Sequence, residues 1–354
     1  MYTGILPIIP SANKLPAADS GVKVAALGGG HGLAASLSAL RLVTGNVTAV
    51  VTVADDGGSS GRLREELGVL PPGDLRMALS ALCDDTDWGR TWRDVMQHRF
   101  TSKEGVAGSL DNHALGNLLI VTLWELLGDP VAGLRWAGAL LGARGEVLPM
   151  ASVPLTIEGL VRVNGTPGTL IRGQSKLAKA GEVENVRLLP KDAPACREAV
   201  TAIHEADWVV LGPGSWYTSV LPHLLLPEMR QALCTTKAKR LITMNLDVND
   251  LEAAGMNAAD HLHVISRYAP EFTVDVVLAD PSTIGDAAEF ERAAAMIGAE
   301  VVFGKVGSSG GDAVHDPLRL AAAYRDILVV KNYRDQWRMN HGANRGSKRG
   351  IVPA

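Results

Sequence analysis

Short, almost unbroken apolar runs alternate along this chain with longer stretches whose apolar positions recur at helical spacing. The runs predict strands near 22–27, 47–53, 147–163, 207–211, 240–245, 274–278 and 300–303. The helical stretches lie near 33–41, 73–83, 112–128, 131–142, 194–205, 222–233, 249–255, 287–297 and 317–327. Strand and helix in alternation predict an α/β fold, Rossmann-like and doubly wound around a mostly parallel sheet. The interval 75–145 departs from this rhythm. It reads as helical without a convincing strand, an insertion able to wall one side of a cleft. Between 153 and 188, Asn164-Gly165 separates two strand-like runs and predicts a hairpin.

The ends read differently. Residues 1–20 carry Pro7, Pro10 and Pro16 and lack a basic start followed by a long apolar run, which predicts a loose extension rather than a signal peptide. The Rossmann-like domain is assigned to 21–330, and the Arg-, Lys- and Gly-rich residues 331–354 to a flexible basic tail. A net charge of −4 gives no electrostatic reason for nucleic acid or an anionic membrane as the main partner. No apolar stretch reaches spanning length, so no membrane insertion is expected. Cys83, Cys196 and Cys234 have no CxxC spacing, which fits a reducing cytoplasm better than a disulfide framework or zinc site.

Candidate chemistry concentrates in glycine-rich loops that follow strands, at the edge of a parallel sheet where ligands bind. In the first, Gly29-Gly30-His31-Gly32 enters a helix as GxGxxA, where glycines let phosphate approach the backbone and helix amides attract it. His31 is either a ligand contact or simply solvated. In the second, Asp55 or Asp56 stands where a ribose is commonly met. Adjacent side chains in extended backbone diverge, so one faces the ligand while the other caps a turn or binds backbone amides. Gly57, Gly58, Ser59 and Ser60 then read as an anion nest. Pro71-Pro72-Gly73-Asp74 predicts a rigid turn with Asp74 capping the next helix. Arg76, a cation in that helix's first turn, calls for a phosphate or carboxylate partner. Asn117, within an apolar helix, either ties down a neighbouring loop or reads a ligand edge. The third loop holds Gly214 and Ser215, with Tyr217 as a stacking ring and Asn245 expected at the same edge. The chain lacks HExxH and Walker A patterns, and no nucleophile–base pair stands out.

Five segments, GGGHG at 28–32, VTVADDGGSSGRLR at 51–64, LPPGDLR at 70–76, HALGNLL at 113–119 and GPGSWYTSVLPHLL at 212–225, resemble the YvcK/CofD-like family in its YvcK branch. The resemblance spans roughly 22–330. It implies a Rossmann-like cytoplasmic protein that binds a nucleotide sugar such as UDP-N-acetylglucosamine, with NAD as a second candidate ligand. It also implies a role in cell shape, cell-wall precursor supply and growth on gluconeogenic carbon, with cell-wall regulatory proteins or a second copy of the chain as partners. The other branch consists of 2-phospho-L-lactate transferases. On that reading Asp55, Asp56 and Asp74 would surround a divalent metal. Several positions depart from the family pattern. His31 stands for a threonine, Asn112 precedes His113, LDVND follows Asn245, Val314 replaces a basic residue before His315-Asp316 so that Arg319 would take its contact, and Pro317 replaces a hydroxyl.

Overall fold

The computed structural model describes residues 20–104, 108–163, 166–246, 255–309 and 313–331. The chain runs β1 (Val24–Gly28), α1 (Gly30–Leu40), β2 (Val47–Val51), α2 (Gly58–Leu67), α3 (Pro72–Leu82) and α4 (Asp87–Gln97). It continues through α5 (Leu115–Leu127), α6 (Pro130–Leu141), β3 (Glu146–Pro149), β4 (Thr156–Val163), β5 (Thr166–Arg172), α7 (Gln174–Leu177) and β6 (Glu182–Leu189). Then follow α8 (Arg197–Glu205), β7 (Trp208–Leu211), α9 (Leu221–Leu225), α10 (Pro227–Thr235) and β8 (Lys239–Thr243). The last elements are α11 (Ala258–Tyr268), β9 (Val276–Ala279), α12 (Ala287–Met296), β10 (Glu300–Phe303) and α13 (Pro317–Arg325).

Seven strands form one sheet in the order β10-β9-β8-β7-β1-β2-β3, and every pairing in it is parallel. β1 and β7 are buried throughout, because helices cover both faces of such a sheet. That explains why their sequences are unbroken apolar runs. Chain order reverses between β1 and β7: β2 and β3 lie to one side of β1, and β7 to β10 to the other. Such a switch point opens a crevice at the carboxyl ends of the two strands. The buried Tyr324 hydroxyl of α13 meets Ser36 of α1 at 2.8 Å and Thr243 of β8 at 2.9 Å, pinning helix to sheet beside that crevice.

The helical insertion is present as α3 to α6. The strand expected over 147–163 divides: β3 joins the parallel sheet, whereas β4 joins an antiparallel sheet ordered β5-β4-β6. Periodicity sees only the apolar content and not the change of sheet at Pro154. The helix expected over 222–233 breaks into α9 and α10, since Pro227 cannot continue the first and begins the second. The apolar pattern does not mark α2, α4, α7 and α11, nor β6, as separate elements. The expected hairpin turn at 164–165, the helix near 249–255 (all but its last residue), the extension and the tail beyond 331 lie outside the described residues. Among the described residues, no helix is long and apolar enough to cross a membrane.

Candidate functional site

The three glycine-rich segments do converge at the carboxyl edge of the sheet. The GxGxxA segment is not a loop before α1 but its first turn, with Gly29 as N-cap in extended backbone. Gly30 has φ +58°, a left-handed conformation that a side chain would strain. A Cβ on Gly32 would stand 2.6 Å from the Pro213 carbonyl carbon and 2.7 Å from Gly214 Cα, so the first and third segments touch backbone to backbone across the switch point. His31 is exposed. Gly214 is fixed from its other side. Its amide donates to Asn245 Oδ1 at 2.7 Å, and Asn245 Nδ2 donates to its carbonyl oxygen at 2.9 Å. Asn245 thus clamps the third loop, with both ends of its amide used.

Ser215 caps the π-helical turn Trp216–Val220 by accepting from the Thr218 amide. Tyr217 is buried, its hydroxyl against Met256 Sδ, and Trp216 stacks on His261 at 5.4 Å. Neither ring is the exposed stacking surface expected from sequence. Burial in the core is the stronger demand on large apolar rings.

The second segment corrects two expectations. Gly57 is an N-cap, and Gly58, Ser59 and Ser60 are the first turn of α2 rather than a loop nest. Both serine hydroxyls are buried and point inward. Ser60 Oγ accepts from the Gly73 amide at 3.0 Å. Ser59 Oγ accepts from the Ala114 amide at 3.2 Å and from Asn117 Nδ2 at 3.0 Å, so its own hydrogen goes to His113 Nδ1 at 3.1 Å. Asn117 therefore ties α5 to α2, and its Oδ1 receives Arg76 Nε at 2.9 Å. What α2 retains for an anion is its first-turn amides.

The adjacent aspartates diverge. Asp56 is exposed and accepts from the Ser175 amide at 2.8 Å, joining the main sheet to the first turn of α7. Asp55 accepts from the Gly57 amide at 2.9 Å and packs beside Gly73. Burial raises its carboxyl above the usual aspartate value, against the opposing hydrogen bonds from Gly57 and Ser60. Asp74 is no cap of its own helix, whose N-cap Pro71 has no side-chain bond. It reaches instead to Thr52 Oγ1 at 3.3 Å and to the Gly30 amide at the start of α1. Burial, with the Asp55 charge adding to it, pushes Asp74 up to about 7. Thr52 is not marked by the sequence as a site residue, since the run VTAVVTV carries two hydroxyls, Thr48 and Thr52, and nothing local tells them apart.

A divalent metal held by Asp55, Asp56 and Asp74 together is not supported. No group of three His, Cys, Asp or Glu side chains placed to hold a metal occurs among the described residues. Asp55 and Asp74 are near enough for their charges to interact, and two carboxylates are a donor set that could hold Mg²⁺ together with substrate phosphates and waters.

Arg76 is 4% exposed and feels the charge of Asp74 without forming an ion pair with it. Two residues on a helix are separated by roughly 200° about its axis, so the two side chains serve opposite sides of α3. Its remaining hydrogen bond is to Gln97 of α4. Near the far end, Asp316 caps α13 and Pro317 takes its first position. Arg319 donates to the Gly307 carbonyl at 2.9 Å and to Ser309 Oγ at 2.8 Å, while Val314 is exposed.

With this geometry in place, the family model described as 2-phospho-L-lactate transferase CofD matches residues 24–303. The chain belongs to the YvcK/CofD-like family. A Mycobacterium tuberculosis relative is 52% identical over 313 residues, covering 86% of this chain and 90% of its own. The gluconeogenesis factor of Bacillus subtilis is 32% identical, covering 86% and 98%. The crystal structure of a UPF0052-family protein from Bacillus halodurans superposes with a TM-score of 0.75 at 34% identity, covering 85% of this chain and 98% of that one. The shared fold carries both family descriptions, a transferase and a gluconeogenesis factor.

Proposed function

We propose that this protein binds a nucleotide sugar, such as UDP-N-acetylglucosamine, across the β1/β7 crevice and acts in the cytoplasm as a regulator. In this reading it links carbon metabolism to cell-wall synthesis and cell shape through regulatory protein partners. The observation that carries it is the convergence of the α1 first turn, the α2 first turn and the clamped Gly212–Ser215 loop on one switch point. Orphan helix amides there suit a diphosphate, and the Asp55 carboxylate suits ribose or sugar hydroxyls. The name of the Bacillus subtilis relative supports the metabolic half of the reading. NAD shares the diphosphate and is the competing ligand.

Asp74 sets a condition on this binding. Its carboxyl occupies the Gly30 amide that a phosphate would seek. An ionised Asp74 opposes the ligand, whereas a protonated Asp74, or one bridged through Mg²⁺, admits it. The second reading, a transferase acting on a nucleotide-activated donor, rests on the same Asp55–Asp74 pair and on the CofD family description.

The test is calorimetric titration with UDP-N-acetylglucosamine and with NAD, each with and without magnesium, followed by product analysis. Tight binding of the sugar nucleotide with the ligand recovered intact supports the regulator. Magnesium-dependent consumption of the ligand supports the transferase, and failure of both ligands to bind removes the reading.

A further inference from the structure

On the side of α3 opposite Asp74, a cavity of about 580 Å³ lies between α1, α3 and α4. Its lining includes His31 and four arginines, Arg41, Arg76, Arg93 and Arg99, against the single carboxylate of Asp94. Two of the arginines are already paired. Arg41 grips Asp85 through both terminal nitrogens, and Arg93 reaches the same carboxylate at 3.3 Å. The other two are not. Arg76 bonds only the neutral amides of Asn117 and Gln97, and Arg99 bonds only the Asn112 carbonyl. Neither has a carboxylate within ion-pair distance among the described residues.

A guanidinium taken out of water without a counter-charge is unfavourable, more so beside a second one. Burial, with the Arg99 charge adding to it, lowers Arg76 to about 10, although the Asp74 and Asp55 carboxylates, too far for an ion pair, act against the shift. Two further donors point the same way. Ser80 and Arg41 belong to the lining of this cavity, and the Ser80 hydroxyl and Arg41 Nε are buried there without a hydrogen-bond partner. Buried polar atoms in folded proteins are rarely left so. An acceptor-rich, multiply negative group between Arg76, Arg99 and Ser80 answers all of these demands at once, and planar guanidinium forks suit the oxygens of phosphate.

We infer that this cavity is a second ligand site, separate from the β1/β7 crevice, that takes the phosphate group of a small phosphorylated metabolite. The site stands independently of the sugar-nucleotide reading. One binds across the sheet edge through backbone amides, the other through side chains of α3 and of Arg99, just beyond the end of α4.

Inorganic phosphate and pyrophosphate serve as probes, titrated calorimetrically into the full chain in phosphate-free buffer with thermal unfolding as a parallel readout. The expected result is saturable binding that raises the melting temperature. Arg99→Gln, at an exposed position that should not disturb folding, weakens it at least tenfold, and Ser80→Ala weakens it severalfold. Asp55→Asn leaves it unchanged, as does saturating UDP-N-acetylglucosamine. Absence of saturable binding at millimolar phosphate overturns the inference, as does equal binding by Arg99→Gln and Ser80→Ala. Loss of phosphate binding on adding the sugar nucleotide or in Asp55→Asn would place the phosphate in the crevice and overturn the second site. Failure of the sugar nucleotide to bind leaves the phosphate readout intact.

Discussion

The two sides of α3 differ in sign. Towards the sheet, Asp74 and Asp55 put carboxyls against helix amides. Towards α4, Arg76 and Arg99 put guanidinium groups against neutral amides and a backbone carbonyl. Two residues of sequence separate Asp74 from Arg76, yet helix geometry turns them to different sides of α3. None of these four groups forms an ion pair among the described residues. Structural ion pairs are completed internally, as Arg41 and Asp85 show on the same face. Incomplete ones mark places where something else belongs.

The largest expected effect breaks the acidic side. Asp74 is raised from 3.8 to about 7, so the fold favours its protonated form. Its cost to stability is absent below about pH 4, grows through the window between 4 and 7, and is complete above it. Asp74→Asn should therefore stabilise the protein by roughly 3 kcal/mol at pH 8 and have little effect at pH 4. Urea unfolding at both values checks this. The same substitution should flatten the metal-free pH dependence of sugar-nucleotide affinity, which in the wild type falls as pH rises through about 7. A stabilisation equal at both pH values would remove the role assigned to burial.

Next comes the contact that closes the acidic crevice. Gly32→Ala puts a carbon into the Pro213 backbone and should destabilise the protein by about 1–3 kcal/mol while weakening nucleotide binding. Phosphate binding in the basic cavity should survive it. On the basic side the sign reverses relative to Asp74. Arg76→Ala leaves the Asn117 and Gln97 oxygens unpaired and should destabilise by about 1–3 kcal/mol, read by the same urea titration. If Arg76→Ala stabilised instead, its buried charge would outweigh its hydrogen bonds.

The sequence disclosed the sheet and the crevice better than the partners within it. Parallel strands buried on both faces are written as apolar runs, and glycine-rich loops after them are visible as such, so β1, β2, β7 and the meeting of their loops at one sheet edge could be anticipated, though not the Gly32–Pro213 contact itself. Side-chain direction could not. Nothing local distinguishes a serine in an anion nest from one whose hydroxyl turns inward to Asn117. The tie of Asp74 to Thr52 depends on how α3 docks against β2. The basic cavity was invisible for a similar reason: its arginines come from 41, 76, 93 and 99, and only the packing of α4 on α3 assembles them. Arg76 reads in the sequence as a cation calling for a phosphate or carboxylate, whereas its partners in the structure are the neutral amides of Asn117 and Gln97. The sequence could not say on which side of the helix that anion would sit.

The smallest effect concerns Asp56, which the sequence offered on equal terms with Asp55 for the ligand. Its carboxylate is exposed and receives the Ser175 amide at the start of α7. A single exposed bond of this kind is worth about 1 kcal/mol, and it holds the three-stranded sheet rather than the crevice. Asp56→Ala should therefore cost about 1 kcal/mol by urea unfolding and speed hydrogen exchange at the Ser175 amide, with sugar-nucleotide affinity changed less than about threefold. Asp55→Ala should do the reverse, leaving the Ser175 amide protected and losing most of the affinity. The adjacent pair thus makes an internal control, because both variants remove the same charge one residue apart. If Asp56→Ala lost the ligand while the Ser175 amide stayed protected, the division of labour between the two aspartates would be inverted. The acidic half of the comparison across α3 would then have to be rebuilt around Asp56.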